Sequence, residues 1–279
     1  MVRTATIGVE ERGARQTNEP GLPAGPARHR VRRVALPLLM VIVVGIVWQA
    51  WVVALRVPLY IMAPPSKFLP ELVTSRAMLW SATTVTGQEV LYGFLIATAI
   101  SVPLGFVLAT VPIVRDAFYP LVVFFQVIPK IAIAPLFVVW FGIGKIPVTV
   151  LTFTLCFFPI VVDSITGFTE LDPRLLYLTQ SMGASRWQTF RYIRLQSALP
   201  YIFSGLKVGI VLATTGAIVG EFIGSNGGLG YILEQATGYL NTPLVFADLV
   251  VLSIFGILLA YAMNLVQWLA MPWQHSGHR

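Results

Sequence analysis

LLYLTQSMGASRWQTFRYIRLQSALP, residues 175–200, is a polar, amphipathic insert between two stretches apolar enough to cross a bilayer. Arg186, Arg191 and Arg194 interleave with Trp187, Phe190, Tyr192 and Ile193. The flanking runs, 146–168 and 201–222, each hold about the 20 residues that span the hydrocarbon core. A charged element held at one fixed point between two spans is well placed to receive force from a soluble partner.

The bulk composition agrees with a membrane setting. Of 279 residues, 56% are hydrophobic and only 11% charged, and the mean hydropathy is +0.78. An ordinary soluble domain carries about 25% charged residues. The fold class expected is all-α, a polytopic membrane protein with six transmembrane helices at 35–55, 85–111, 117–141, 146–168, 201–222 and 244–270. Residues 1–34, rich in Gly, Pro, Arg and Glu without apolar periodicity, read as a disordered cytoplasmic basic tail. The six-span transmembrane domain then covers 35–270, with a cytoplasmic segment at about 171–194, and 271–279 form a cytoplasmic C-terminal tail. The basic tail followed by an apolar run resembles a secretory signal, but its length and the lack of a small-residue cleavage site after Leu55 favour an uncleaved first span.

Charge orients the spans. The net charge of +7 comes from 19 basic and 12 acidic residues, with seven of the arginines in the first 34 positions. That distribution is a topology signal rather than a nucleic-acid surface. With the N-terminus inside, Arg115, Arg174, Arg186, Arg191, Arg194 and Arg279 join the tail arginines on the cytoplasmic side. Arg56, Lys67, Arg76 and Lys145 fall outside, so the positive-inside rule places both termini in the cytoplasm and the chain in the cell membrane. The third span carries Pro129 and Pro135 around Lys130, which predicts kinks whose freed carbonyls need protein or water, and hence a place inside the bundle.

Local chemistry divides the insert. Asp172 with Pro173 forms an N-cap and N1 pair, so a short helix follows to Met182, where Gly183 stops it. Ser185 and Gln188 have capping-box spacing and restart a helix. From the residues alone, this pair of helices fits either an anionic lipid surface or a partner dock.

The insert resembles the cytoplasmic loop of binding-protein-dependent ABC importer permeases, whose pattern runs Glu-Ala-Ala, then Gly-Ala, then Leu-Pro. Gly183 and Ala184 match, and Ala198-Leu199-Pro200 continues the pattern. Tyr177, Leu178 and Thr179 stand at the Glu-Ala-Ala positions, and Leu195-Gln196 at the first Leu-Pro place. The stretch QVIPKIAIAPLFVVWFG at 126–142 and GSNGGLGY at 224–231 are similar to the nitrate, sulfonate and taurine branch, and the likeness covers about 64–273. The resemblance implies a type I ABC importer permease fold. It also implies docking of two ATPase subunits through Tyr177, Thr179, Gly183, Ala184 and Arg186, a second permease copy forming a homodimer, and an extracytoplasmic solute-binding protein. ATP would be used by the ATPases, with no cofactor bound by this chain. The solute implied is small, such as nitrate, a sulfonate, taurine or a similar anion, with pyrimidines and riboflavin in some members.

Other classes find less support. The glycines at 224, 227, 228 and 230 lack the Gly-Lys-Ser/Thr ending of a phosphate loop. His29, His275 and His278 all lie in the terminal tails, so the body offers neither a metal centre nor a histidine base. Cys156 reads as a small buried hydrophobe. Glu89, Asp163 and Glu221 form no obvious cluster for an enzyme. A secondary transporter or channel working without an ATPase is the alternative, though two inverted halves with matching broken spans are not evident. Lys130, Trp140 and Glu221 are candidates for the translocation path. The small residues Gly205, Gly209, Ala213, Gly216 and Gly220 give the fifth span a close-packing face, toward either another helix of the bundle or a second copy.

Overall fold

The computed structural model describes residues 26–273. Helix α1 (Pro26–Ala54) begins nine residues before the first apolar run expected from sequence; the rest of the expected tail, residues 1–25, lies outside the described residues. Among the described residues, those up to Trp48 form one unit and those from Gln49 onward another. Within the first unit, 35–48 is an apolar helical stretch with most of its large side chains exposed.

The second unit continues with α2 (Pro65–Thr74), α3 (Arg76–Thr110), α4 (Pro112–Val127), α5 (Ala134–Phe141), α6 (Lys145–Thr169), α7 (Pro173–Ser181), α8 (Arg186–Thr189), α9 (Leu195–Gly224), α10 (Leu229–Gly238) and α11 (Thr242–Ala270). Among the described residues, five helices are long and apolar enough to cross a membrane. The expected third span is instead a broken pair, α4 joined to a 3-10 turn and α5 across an 81° bend. Proline causes the break. Pro129 has no N–H to continue α4, and it pushes Ile128 into an extended conformation at φ −62°, ψ 130°.

The core is made by α3, α6 and α9, and small residues let their backbones approach. A Cβ added at Gly93 of α3 would meet Thr152 of α6 at 2.5 Å, and one at Gly105 would meet Ser164 at 2.5 Å. From the other side, Gly216 of α9 sits against the Thr152 backbone, and Gly209 and Gly220 against Ile160 and Val148. The small-residue face of the fifth span is therefore spent on α6 within the same chain, and is not a free face for a second copy. Lipid-phase helix association rests on such close packing because hydrocarbon supplies no hydrophobic drive. Ser101 Oγ adds a hydrogen bond from α3 to the Phe157 carbonyl at 3.1 Å. Cys156 is fully buried and its Sγ donates to the Thr152 carbonyl at 3.0 Å.

The α4–α5 segment does not lie inside this bundle, contrary to the expectation from its prolines. Val127 is 80% exposed and Val139 78% exposed. The fifth span also reaches further than its apolar run: α8, a π-helical turn (Phe190–Arg194) and α9 form one continuous helical stretch from Arg186 to Gly224.

Candidate functional site

Three constellations occupy three depths of the bundle. At one end is the polar insert, and its caps form as the sequence predicts. Arg174 N donates to Asp172 Oδ1 at 2.9 Å and starts α7. Gly183 ends it with φ +72°, and Ala184 N returns to the Thr179 carbonyl at 3.0 Å. This is the bond pattern of a left-handed glycine stop that satisfies the last helical carbonyls. Gln188 N donates to Ser185 Oγ at 3.2 Å and Ser185 N donates to Gln188 Oε1 at 2.8 Å, completing the capping box. Tyr177, Gly183 and Arg186 are exposed and Ala184 half-buried. Thr179 spends its hydroxyl on the Leu176 carbonyl at 2.9 Å. The five docking candidates thus surround one corner whose shape is fixed by local hydrogen bonds.

At mid-depth, the break between α4 and α5 opens a cavity of about 360 Å³. Gln126, Pro129 and Lys130 line it from the break, Leu155 and Phe158 from α6, and Leu212 from α9. Lys130 Nζ donates to the Gln126 carbonyl at 2.8 Å and stands 4.8 Å from the centre of the Phe158 ring. The ammonium caps the end of α4, where a cation meets the negative end of the helix dipole, and a cation–π contact holds it at the cavity wall. Trp140 and Glu221 do not line this cavity. Trp140 is exposed on α5, with the Phe137 ring centroid 6.0 Å from its own. The sequence marked Lys130 but gave no sign of Phe158, Leu155 or Leu212, because partners from separate helices carry no local signature.

At the end opposite the insert, Glu221 is 1% exposed. Its Oε2 accepts from Gly230 N at 2.7 Å, and Thr86 Oγ1 accepts from Leu229 N at 2.9 Å. Two of the otherwise unpaired N–H groups at the start of α10 are thereby satisfied, tying α10 to α9 and α3. The Glu89 carboxyl faces that of Glu221, and Asp248 of α11 is close enough to act on Glu221 electrostatically. The nearest hydrogen-bonding group to Glu89 is the Glu221 carboxyl itself, and no donor among the described residues reaches either oxygen of Asp248. The carboxylates do cluster, then, correcting the sequence expectation: Glu89 and Glu221 are joined by Asp248. Asp163 stands apart, its Cβ packed toward Gly205. Among the described residues no group of His, Cys, Asp and Glu has metal-holding geometry.

Known proteins share this arrangement of helices. The family model of the binding-protein-dependent transport system inner membrane component matches residues 101–271. The riboflavin transport system permease protein of Chloroflexus aurantiacus is 35% identical over 247 residues, covering 87% of this chain and 91% of its own. The formylaminopyrimidine transport permease protein of Halalkalibacterium halodurans is 40% identical over 164 residues, 58% of this chain and 64% of its own. The taurine transport system permease protein of Escherichia coli is 29% identical over 252 residues, 87% of this chain and 90% of its own. In three dimensions, a chain of the inward-facing MetNI methionine ABC transporter superposes with a TM-score of 0.56 at 22% identity, covering 71% of this chain and 96% of that chain. The likeness fixes the fold as the all-α architecture of ABC importer permeases. With its family match spanning most of the helical body, the chain belongs to the family of binding-protein-dependent transport system inner membrane components, multi-pass proteins of transport and not enzymes.

Proposed function

We propose that this chain is one of two identical permease subunits of an ABC importer. It receives a small organic anion of the sulfonate or taurine kind from an extracytoplasmic binding protein and passes it inward as two ATPase subunits move the insert. The broken α4–α5 segment carries the reading. Irregular backbone at bilayer depth is tolerated only where protein covers it or where it lines a water-filled path. The break, with Pro129 exposed and Ile128 and Lys130 half-buried, therefore belongs against a second copy and along the route. Lys130 supplies the positive charge for an anion there, and apolar walls suit its organic part. Both termini and the insert lie on the cytoplasmic side in this arrangement, where the positive-inside rule puts the arginines. ATP is consumed by the partner subunits, and the chain itself needs no cofactor.

A ring-bearing solute is the second reading, supported by the riboflavin and formylaminopyrimidine relatives and by Phe158 on the cavity wall. Purification from gently solubilised native membranes should recover an ATPase subunit with the chain, and a chain recovered alone from an otherwise intact preparation would favour a secondary transporter or channel. With the complex in proteoliposomes, ATP-driven uptake of labelled taurine and of riboflavin separates the two solutes. Lys130→Gln should lower taurine uptake by roughly tenfold, the loss of one charge-assisted contact. Riboflavin uptake that exceeds taurine uptake and is insensitive to Lys130→Gln would decide for the ring.

A further inference from the structure

A second cavity, of about 480 Å³, lies between the insert and the nearby end of α3. Arg186, Arg194, Thr189 and Thr110 give it polar lining, and Phe106, Phe190, Leu176 and Ala184 apolar lining. We propose that this pocket binds the phosphate of an anionic phospholipid headgroup, with the glycerol and first acyl carbons lying over its apolar lining. The inference goes beyond the importer reading and does not depend on it.

Charge is the first reason. No carboxylate lines the pocket, and no ion pair to either arginine is made among the described residues. Two guanidinium groups facing one concavity repel unless an anion lies between them. The planar fork of arginine matches phosphate oxygens in a bidentate way that a lysine cannot reproduce.

Depth and shape are the second. Phe106 belongs to the last turns of α3, a membrane-spanning helix, and Phe190 and Arg194 belong to the π-helical turn at the root of α9. That level is the interface, where basic side chains meet anionic headgroups and aromatic rings lie at their depth. Phe106 and Phe190 meet edge to face at 4.8 Å, and the exposed Trp187 ring lies 5.6 Å from Phe190, outside the lining. A lining that mixes two arginines with aromatic and aliphatic side chains fits an amphiphile better than a free inorganic anion.

The position gives the lipid a role. Its phosphate would join Arg186 of α8 to Arg194 at the end of the π-helical turn. Such turns interrupt regular α-helical bonding and gather at functional sites.

The test uses the full chain in phosphatidylcholine nanodiscs, with thermal unfolding and native mass spectrometry as readouts. Phosphatidylglycerol should stabilise the wild type and remain bound in the gas phase. Arg194→Gln should weaken that retention by roughly tenfold, while Arg191→Gln, on the same turn but not lining the pocket, should leave it unchanged. Arg194→Lys keeps the charge and loses the fork, so it should retain lipid at an intermediate level in a protein that still folds. Equal losses in the Arg191 and Arg194 variants would overturn the proposal in favour of general surface charge. Stabilisation by inorganic phosphate alone would overturn the lipid as its source. No retention by the wild type would reject the site, as would an Arg194→Gln chain that holds lipid normally but loses a co-purifying ATPase, which would give the pocket to an acidic group of that partner.

Discussion

Gly228 and Gly142 share a backbone conformation that side chains avoid, with φ of +102° and +79° and ψ near ±180° in both. Residues other than glycine held there cost about 1–3 kcal/mol. Their surroundings differ. A Cβ on Gly142 meets nothing, whereas one on Gly228 would run into the Glu221 carboxyl. Gly142→Ala should therefore show the backbone penalty alone, and Gly228→Ala that penalty plus the displacement of Glu221 from Gly230 N, a further ~0.5–1.5 kcal/mol for the lost hydrogen bond. Thermal unfolding of the two variants in one detergent should place Gly228→Ala clearly below Gly142→Ala. Equal midpoints would show that the Glu221 contact adds nothing to stability. The glycine run at 224–230 stood out in the sequence, but the Glu221 partner of Gly228 and Gly230 did not. Thr86 and Leu229 are 143 residues apart in sequence, and a contact of that range leaves no local pattern, just as the approach of Glu89 and Asp248 to Glu221 left none.

The insert, a short element, behaves in the opposite way. Asp172, Gly183, Ser185 and Gln188 were readable in advance because each cap is made with atoms a few residues away, and the hydrogen bonds form as the spacing requires. Gly183 is needed for its dihedral angle and not for space, since an added Cβ there meets no atom within 4 Å. Gly183→Val should destabilise the corner by about 1–2 kcal/mol through the left-handed conformation alone, reorienting α7 against α8. Membrane insertion should be intact and ATP-coupled uptake lost. Gly183→Asn, a residue that tolerates this conformation, should keep most of the uptake. Coupled uptake and ATPase stimulation measured on both variants check the pair, and normal coupling in the valine variant would remove the insert from the force path. What the sequence did not convey about this element is its root. The second half of the insert runs on as one helix into α9, so a push on Arg186 is delivered along a rigid rod rather than through a loop.

At the scale of the whole molecule, the positions of the apolar segments were legible from composition, because a helix long and apolar enough to cross hydrocarbon announces itself. Which faces meet lipid was not, because exposure depends on the assembly. The prolines of the third span predicted a sheltered break, yet the break lies on the surface of a single chain, with Val127 80% exposed. A backbone interruption facing lipid leaves polar groups without partners, so the break needs either another chain or a water-filled path against it. By contrast, α11 is unbroken, and its exposed Ile257 can face lipid at no backbone cost. The native thiol is fully buried at Cys156, so single added cysteines report on their own surroundings. Val127→Cys should form a covalent dimer in native membranes with a short bis-maleimide, and Ile257→Cys should remain monomeric under the same treatment. The ratio of cross-linked to free chain on a denaturing gel measures this directly. Cross-linking through Ile257 but not Val127 would put the copy interface on α11 and leave the break beside water, with the solute path running through one chain instead of between two.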